Sequence, residues 1–93
     1  LAVESSSLVK LEGNLYRFAV TLRNRDATAI MLPAFDLTLT DAQGRVVARK
    51  MLPASELGAA QPALPAAGEL PLQGVLDARA QPLAGYSVEI FYP

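Results

Sequence analysis

A chain of 93 residues, 52% of them apolar and 18% charged, carries a formal net charge of −1 and contains neither cysteine nor histidine. This length and composition fit one two-layer domain spanning residues 1–93, and they exclude a disordered chain, a second domain and a disulfide framework. The basic residues Lys10, Arg17, Arg23, Arg25, Arg45, Arg49, Lys50 and Arg79 are interleaved with nine Asp and Glu residues, a balance that excludes a nucleic-acid backbone as partner of this domain.

Ser6 to Asn24 is expected to form a hairpin. Leu8, Val9 and Leu11 precede the turn pair Gly13-Asn14. From there Tyr16, Phe18, Val20 and Leu22 alternate with Arg17, Ala19, Thr21 and Arg23, the period of two that puts one face inside. Arg23-Asn24-Arg25, followed at once by Asp26, reads as an exposed strand end. Ala29 to Phe35 is the longest strongly apolar stretch; it holds Pro33 and falls far short of the ~18 to 20 residues of a membrane helix.

A second hairpin follows, with Phe35, Leu37 and Leu39 alternating with Asp36, Thr38 and Thr40 before the turn Asp41-Ala42-Gln43-Gly44 and the extended run Arg45 to Leu52. In that run Arg49 shares a phase with Val47 and Met51, and Lys50 shares one with Val46, Ala48 and Leu52, so periodicity leaves open which charge faces inward. A guanidinium is planar, weakly hydrated and rich in donors, so it tolerates burial better than an ammonium; Arg49 is the one expected inside, paired with a carboxylate.

Pro53 to Gly68 reads as a connector broken by Pro53, Pro62 and Pro65, with one helical turn at Ser55-Glu56-Leu57 closed by Gly58. Leu70, Leu72, Val75 and Leu76 form a strand that Pro71 assigns to a sheet edge or a late start. After a link over Asp77 to Ala84, Tyr86, Val88, Ile90 and Tyr92 alternate with Ser87, Glu89 and Phe91, a last strand expected to be buried and ordered up to Pro93. About six to seven short strands and no helical repeat predict an all-β, antiparallel sandwich of the immunoglobulin-like kind.

Chemistry is sparse. Without imidazole or thiol, the usual general base, thiol nucleophile and nitrogen or sulfur metal ligands are missing, and no cofactor, metal site or catalytic residue is expected. Ser5, Ser6, Ser7, Ser55 and Ser87 lack an evident base and read as solvated hydroxyls. Asp26, Asp36 and Asp41 keep a hydrolase reading formally open, but an exposed polar face and an ordinary turn account for them, and Asp41 with Gly44 lacks the ligand spacing of a calcium loop.

Asn24 at a strand end, Pro33, Phe35 to Asp41, Gly44, Val46-Val47-Ala48-Arg49, Pro53, Leu57, Gly68 and the run from Gly85-Tyr86 to Phe91-Tyr92-Pro93 form an ordered series. It resembles the family called domain of unknown function 3426, over most of Leu15 to Pro93; Leu57 departs from a position where that family often has tyrosine. The resemblance implies a sandwich outside the cytoplasmic membrane, on the periplasmic side of the inner membrane of a Gram-negative bacterium. It would be preceded by a single transmembrane helix and a cytoplasmic zinc-ribbon-like segment, and the chain reads as a piece of that longer protein. It supplies no catalytic residue.

The function expected on these grounds is a non-catalytic extracytoplasmic module that recognises a protein or envelope component through rigid loops and edge strands. A small-ligand or lipid-binding domain, with the alanine- and proline-rich connector over a cavity, is the alternative. Asn24, Arg49, Pro53 and Tyr86 are the candidate interaction or structural residues; exposed beside Pro53, Arg49 would be a contact for an envelope partner.

Overall fold

The computed structural model describes residues 1–79 and 82–93; the expected link from Asp77 to Ala84 includes residues 80 and 81, which lie outside the described residues. In chain order the strands are β1 (Ala2–Lys10), β2 (Leu15–Arg23), β3 (Ile30–Met31), β4 (Ala34–Thr40), β5 (Val46–Pro53), β6 (Ala63–Leu64), β7 (Glu69–Asp77) and β8 (Gly85–Phe91). The long strands form two antiparallel three-stranded sheets, ordered β1-β2-β7 and β5-β4-β8, and the two-residue strands β3 and β6 pair with each other. The fold is an antiparallel β-sandwich of immunoglobulin-like connectivity, with β2 central in one layer and β4 central in the other.

The two central strands supply most of the core. Phe18, Val20 and Leu22 of β2 and Phe35, Leu37 and Leu39 of β4 are all but fully buried. Leu57, Leu64, Leu72 and Leu76 complete the cluster. This is the face that the alternation in sequence assigns to the interior. Both tight turns form as expected: Gly13 and Gly44 adopt left-handed φ of 58° and 79°. Asp41 Oδ1 accepts hydrogen bonds from the N–H groups of Gln43 and Arg45, each at 2.9 Å. The first strand begins at Ala2, earlier than the hydrophobic pattern indicates, and a bulge between Val3 and Ser5 interrupts its ladder with β2.

Hydrogen bonds at the two ends of the β2–β7 ladder fix which way each backbone group points. Asn24 N–H donates to Gly68 O at 2.9 Å, and Ala78 N–H donates to Asn14 O at 2.8 Å. In an antiparallel ladder the bonded pairs alternate, so Leu70, Leu72, Gly74 and Leu76 bond to β2 while Pro71, Gln73 and Val75 face away from it. Pro71 therefore sits where its missing N–H has no strand partner to lose, which is why a proline is tolerated on this edge strand.

Two expectations are corrected. Arg49 is not inside: a bulge on β5 pairs Val46 with Thr40 but Ala48 with Leu39, and the extra Val47 resets the alternation. Ala48 and Leu52 then oppose the core residues Leu39 and Phe35, whereas Arg49 opposes outward-facing Thr38. Lys50 takes the inward phase opposite Leu37 and is half-buried; on an edge strand its stem can pack while its ammonium reaches water. The last strand, in turn, is not buried: β8 pairs with β4 alone, its inward residues Tyr86, Val88 and Ile90 are half-buried, and it ends at Phe91.

The two sides of the sandwich are closed differently. The turn expected in the connector is a 3-10 turn over Ala54–Leu57, ended by Gly58 at φ 91°. Its Leu57 is 2% exposed and packs over Gly74 of β7, sealing the side between β5 and β7. On the other side the edges β1 and β8 are joined through Ser6 Oγ and the Tyr86 hydroxyl, 2.9 Å apart.

Candidate functional site

The four residues singled out from sequence separate into two structural and two outward-facing positions. Asn24 is wholly buried just after β2. Its Nδ2 donates to the carbonyls of Thr28, Leu64 and Pro65 at 2.9, 3.0 and 3.1 Å, and its Oδ1 accepts from Asp26 N–H at 2.9 Å. Every polar atom of the side chain is thus used to pin the loop after β2 and the β6 segment to the strand end. Tyr86 is structural as well: its ring stands edge-on to Phe18, centroids 6.3 Å apart at 75°, and its hydroxyl meets Ser6 across the sandwich.

Arg49 and Pro53 lie on the outer face of β5-β4-β8. The registers lay that face out as three cross-strand rows, Arg49–Thr38–Ser87, Met51–Asp36–Glu89 and Pro53–Ala34–Phe91. Arg49 Nη2 donates to Asp36 Oδ2 at 2.5 Å, with side-chain exposures of 57% and 19%. The carboxylate is the better shielded partner, and its Oδ1 is buried with no hydrogen bond from the protein. Directly across from Asp36 is Glu89, so one guanidinium serves the end of a like-charged cross-strand pair. Met51, 57% exposed, stands beside them.

Sequence reasoning missed Asp36, Met51 and Glu89 as members of this surface. Their signal was present in the phase shared by Arg49 and Met51, but it could be used only with Arg49 assigned outward.

The other carboxylates are engaged elsewhere. Asp41 caps its own turn and meets Arg45 Nε at 3.1 Å. Arg23 holds Glu4 and Glu69, each at 2.5 Å. The hydrogen bond from Arg23, helped by the positive charges of Arg23 and Arg25, outweighs desolvation and holds the Glu4 carboxyl below its usual range. The same pairing raises Arg23. Among the described residues, no three His, Cys, Asp or Glu side chains converge as metal ligands would.

Two open grooves mark the surface. One, about 570 Å³, runs over small side chains on the outer face of β1-β2-β7, among them Ser5, Ser7, Ala19 and Thr21. The other, about 410 Å³, lies at one end between Met31, Pro33, Pro53, Ala59, Pro62 and Pro93.

The family model described as Protein of unknown function (DUF3426) matches residues 1–90. The chain belongs to the DUF3426 family. No curated protein and no solved structure matches it. Several residues behind the family resemblance have structural work in this DUF3426 domain: Asn24 bonds Gly68, Asp41 and Gly44 make the turn, and Pro33 is buried in full. Arg49 differs from them in presenting its charge to the outside.

Proposed function

We propose that this DUF3426 domain is a non-catalytic protein-interaction module, held on the extracytoplasmic side of a bacterial inner membrane by a helix upstream of it, and that it meets its partner through the outer face of β5-β4-β8. The observation that carries the reading is the pairing of Arg49 with Asp36 beside Met51. An exposed guanidinium is held in one orientation by a shielded carboxylate, next to an exposed flexible apolar side chain. Arginine and methionine are enriched at protein interfaces, and a pre-oriented side chain loses less entropy on binding. Location outside the cytoplasm and a membrane tether rest on the family resemblance; within the described residues no helix is long and apolar enough to cross a membrane. The lack of imidazole and thiol in the whole sequence supports the non-catalytic part.

The test uses the full-length protein in its native membrane. A photo-crosslinking residue at position 51 is compared with one at Val75, equally exposed at 57% but on the other sheet. A discrete heteroadduct from position 51, absent from 75 and diminished by Arg49→Ala, is expected. Equal adducts from both positions, or none from 51, defeat the reading. A small-ligand role has its own observation, the groove beside Pro53. Mass retained in native mass spectrometry and lost with Ala59→Trp would favour it.

A further inference from the structure

The sandwich has four free strand edges, and they are not equally protected. On β7, Pro71 faces outward and Leu57 of the 3-10 turn lies over Gly74. The edge strand β5 carries the Val47 bulge, Arg49, Lys50 and Pro53. On β8 the single charge, Glu89, lies one residue from the strand's centre, so self-pairing would bring two carboxylates together. From Ser5 to Lys10, β1 has no proline, no bulge and no charge before its last residue. Unprotected edges of this kind template strand addition.

The orientation of its backbone groups is fixed. Leu11 N–H donates to Leu15 O at 2.8 Å, so the bonded alternation with β2 runs through Val9, Ser7 and Ser5. Ser6, Leu8 and Lys10 therefore turn their N–H and C=O groups to the open side. The charges of β1 sit at opposite ends, Glu4 and Lys10. At one end Arg23 is shared between Glu4 and Glu69, so neither carboxylate has a guanidinium to itself, with Arg25 acting on Glu4 at longer range. At the other, Lys10 is exposed and makes no ion pair among the described residues.

We infer that β1 pairs antiparallel with β1 of a second copy of this chain, about a two-fold axis at Ser7. In that register Ser6 and Leu8 of each copy exchange backbone bonds with Leu8 and Ser6 of the other, using the groups that face outward. Lys10 of each copy comes beside Glu4 of the other, so the charge complementarity is satisfied twice. Registers centred one residue away set Glu4 against Leu8, or Lys10 against Ser6, and leave both charges unmatched. This surface is separate from the face of β5-β4-β8, so the two assignments stand or fall independently.

Disulfide trapping reads the register directly, because the chain has no cysteine of its own. At the axis Ser7 meets its own copy as a non-hydrogen-bonded pair, with Cα atoms about 4.5 Å apart, within the span a disulfide bridges. Ser7→Cys under mild oxidation is expected to give a covalent dimer, and Ser5→Cys, which faces Val9 of the other copy, is not. By sedimentation velocity the unmodified protein should show a concentration-dependent monomer–dimer equilibrium. Ser6→Pro removes an outward N–H and should weaken it at least about tenfold, whereas Ser6→Ala, which loses the same hydroxyl but keeps the N–H, should not. Lys10→Glu, which leaves the fold's hydrogen bonds intact, should weaken it as well, so a misfolded proline variant does not leave the question open. A monomer at every concentration, equal trapping at 5 and 7, or indifference to Lys10→Glu overturns the inference. Capture of a different protein's strand at β1 with no self-association overturns it too.

Discussion

Leu57 occupies the space that a side chain at position 74 would need: a Cβ built on Gly74 lies 2.8 Å from Leu57 Cδ2. Gly74 has the inward phase of β7 opposite Phe18, and its missing side chain is what lets the 3-10 turn close that side of the sandwich. Gly74→Ala should therefore destabilise the fold by about 1 to 3 kcal/mol through overpacking. Leu57→Ala should cost about 2 to 5 kcal/mol through the cavity it leaves. The methyl group at 74 fits better into that cavity, so the two losses should be less than additive in a cycle of denaturant melts. Strict additivity would show that the contact does not limit packing there.

Asn24→Ala should cost on the order of 3 kcal/mol, because three carbonyls and one N–H at a buried strand end lose their partner together. Asn24→Asp should be no better, since a carboxylate offers the carbonyls no donor. Urea midpoints within about 0.5 kcal/mol of wild type for either variant would contradict the assignment of Asn24 as a structural clamp.

Central and edge strands should respond differently to truncation. Phe18→Ala and Leu39→Ala, at fully buried sites, should each cost about 2 to 5 kcal/mol. Ile90→Ala, on the half-covered edge β8, should cost about 1 to 2 kcal/mol, and Arg17→Ala under about 0.5. Comparable losses at Phe18 and Ile90 would mean that β8 is covered in solution.

Arg49→Ala should lower stability by less than about 1 kcal/mol, since its partner Asp36 keeps some solvent contact and the arginine is mostly exposed. A loss of several kcal/mol in thermal or urea melts would restore the buried role that its residue type suggests.

Acid should remove a specific contribution at Glu4. Its folded carboxyl titrates below the ordinary 4.5 because Arg23 stabilises the charged form. A depressed folded value means that the contribution is fully present above pH 4.5 and is lost as pH falls through the lower, folded value. Glu4→Gln should consequently flatten the acid limb of the Tm–pH profile, and added salt should do the same to the wild type. An unchanged acid limb would dissociate this pair from acid stability.

The alternation in β2 and β4 was readable because both strands are central, with one face on the core and one on solvent. Turns were readable where glycine or aspartate chemistry demands them, at Gly13, Asp41 to Gly44 and Gly58. The orientation of Arg49 was not, because a bulge inserts a residue without any distinctive side chain: Val46 and Val47 look alike, yet their succession reverses everything that follows. Nor was the coverage of β8, since an apolar alternating strand reads the same whether it has one neighbour or two. The short β3–β6 pairing depends on Asn24 gathering distant carbonyls, a contact across 40 residues that no local pattern encodes. In the site, Pro53 and Arg49 were visible as positions, whereas the row joining Met51, Asp36 and Glu89 exists only once the strands are in register.

Pro71 gives the β1-β2-β7 layer a blocked end. A chain of hydrogen-bonded layers grows indefinitely only if each unit offers two adhesive borders, and here the proline border lacks a donor where a newcomer would need one. Growth through β1 can therefore proceed once and then stops, giving a six-stranded layer with a proline at each rim. Self-association by this route is finite by construction, a property that matters for a domain crowded on a membrane surface, where an open-ended sheet would become a fibre.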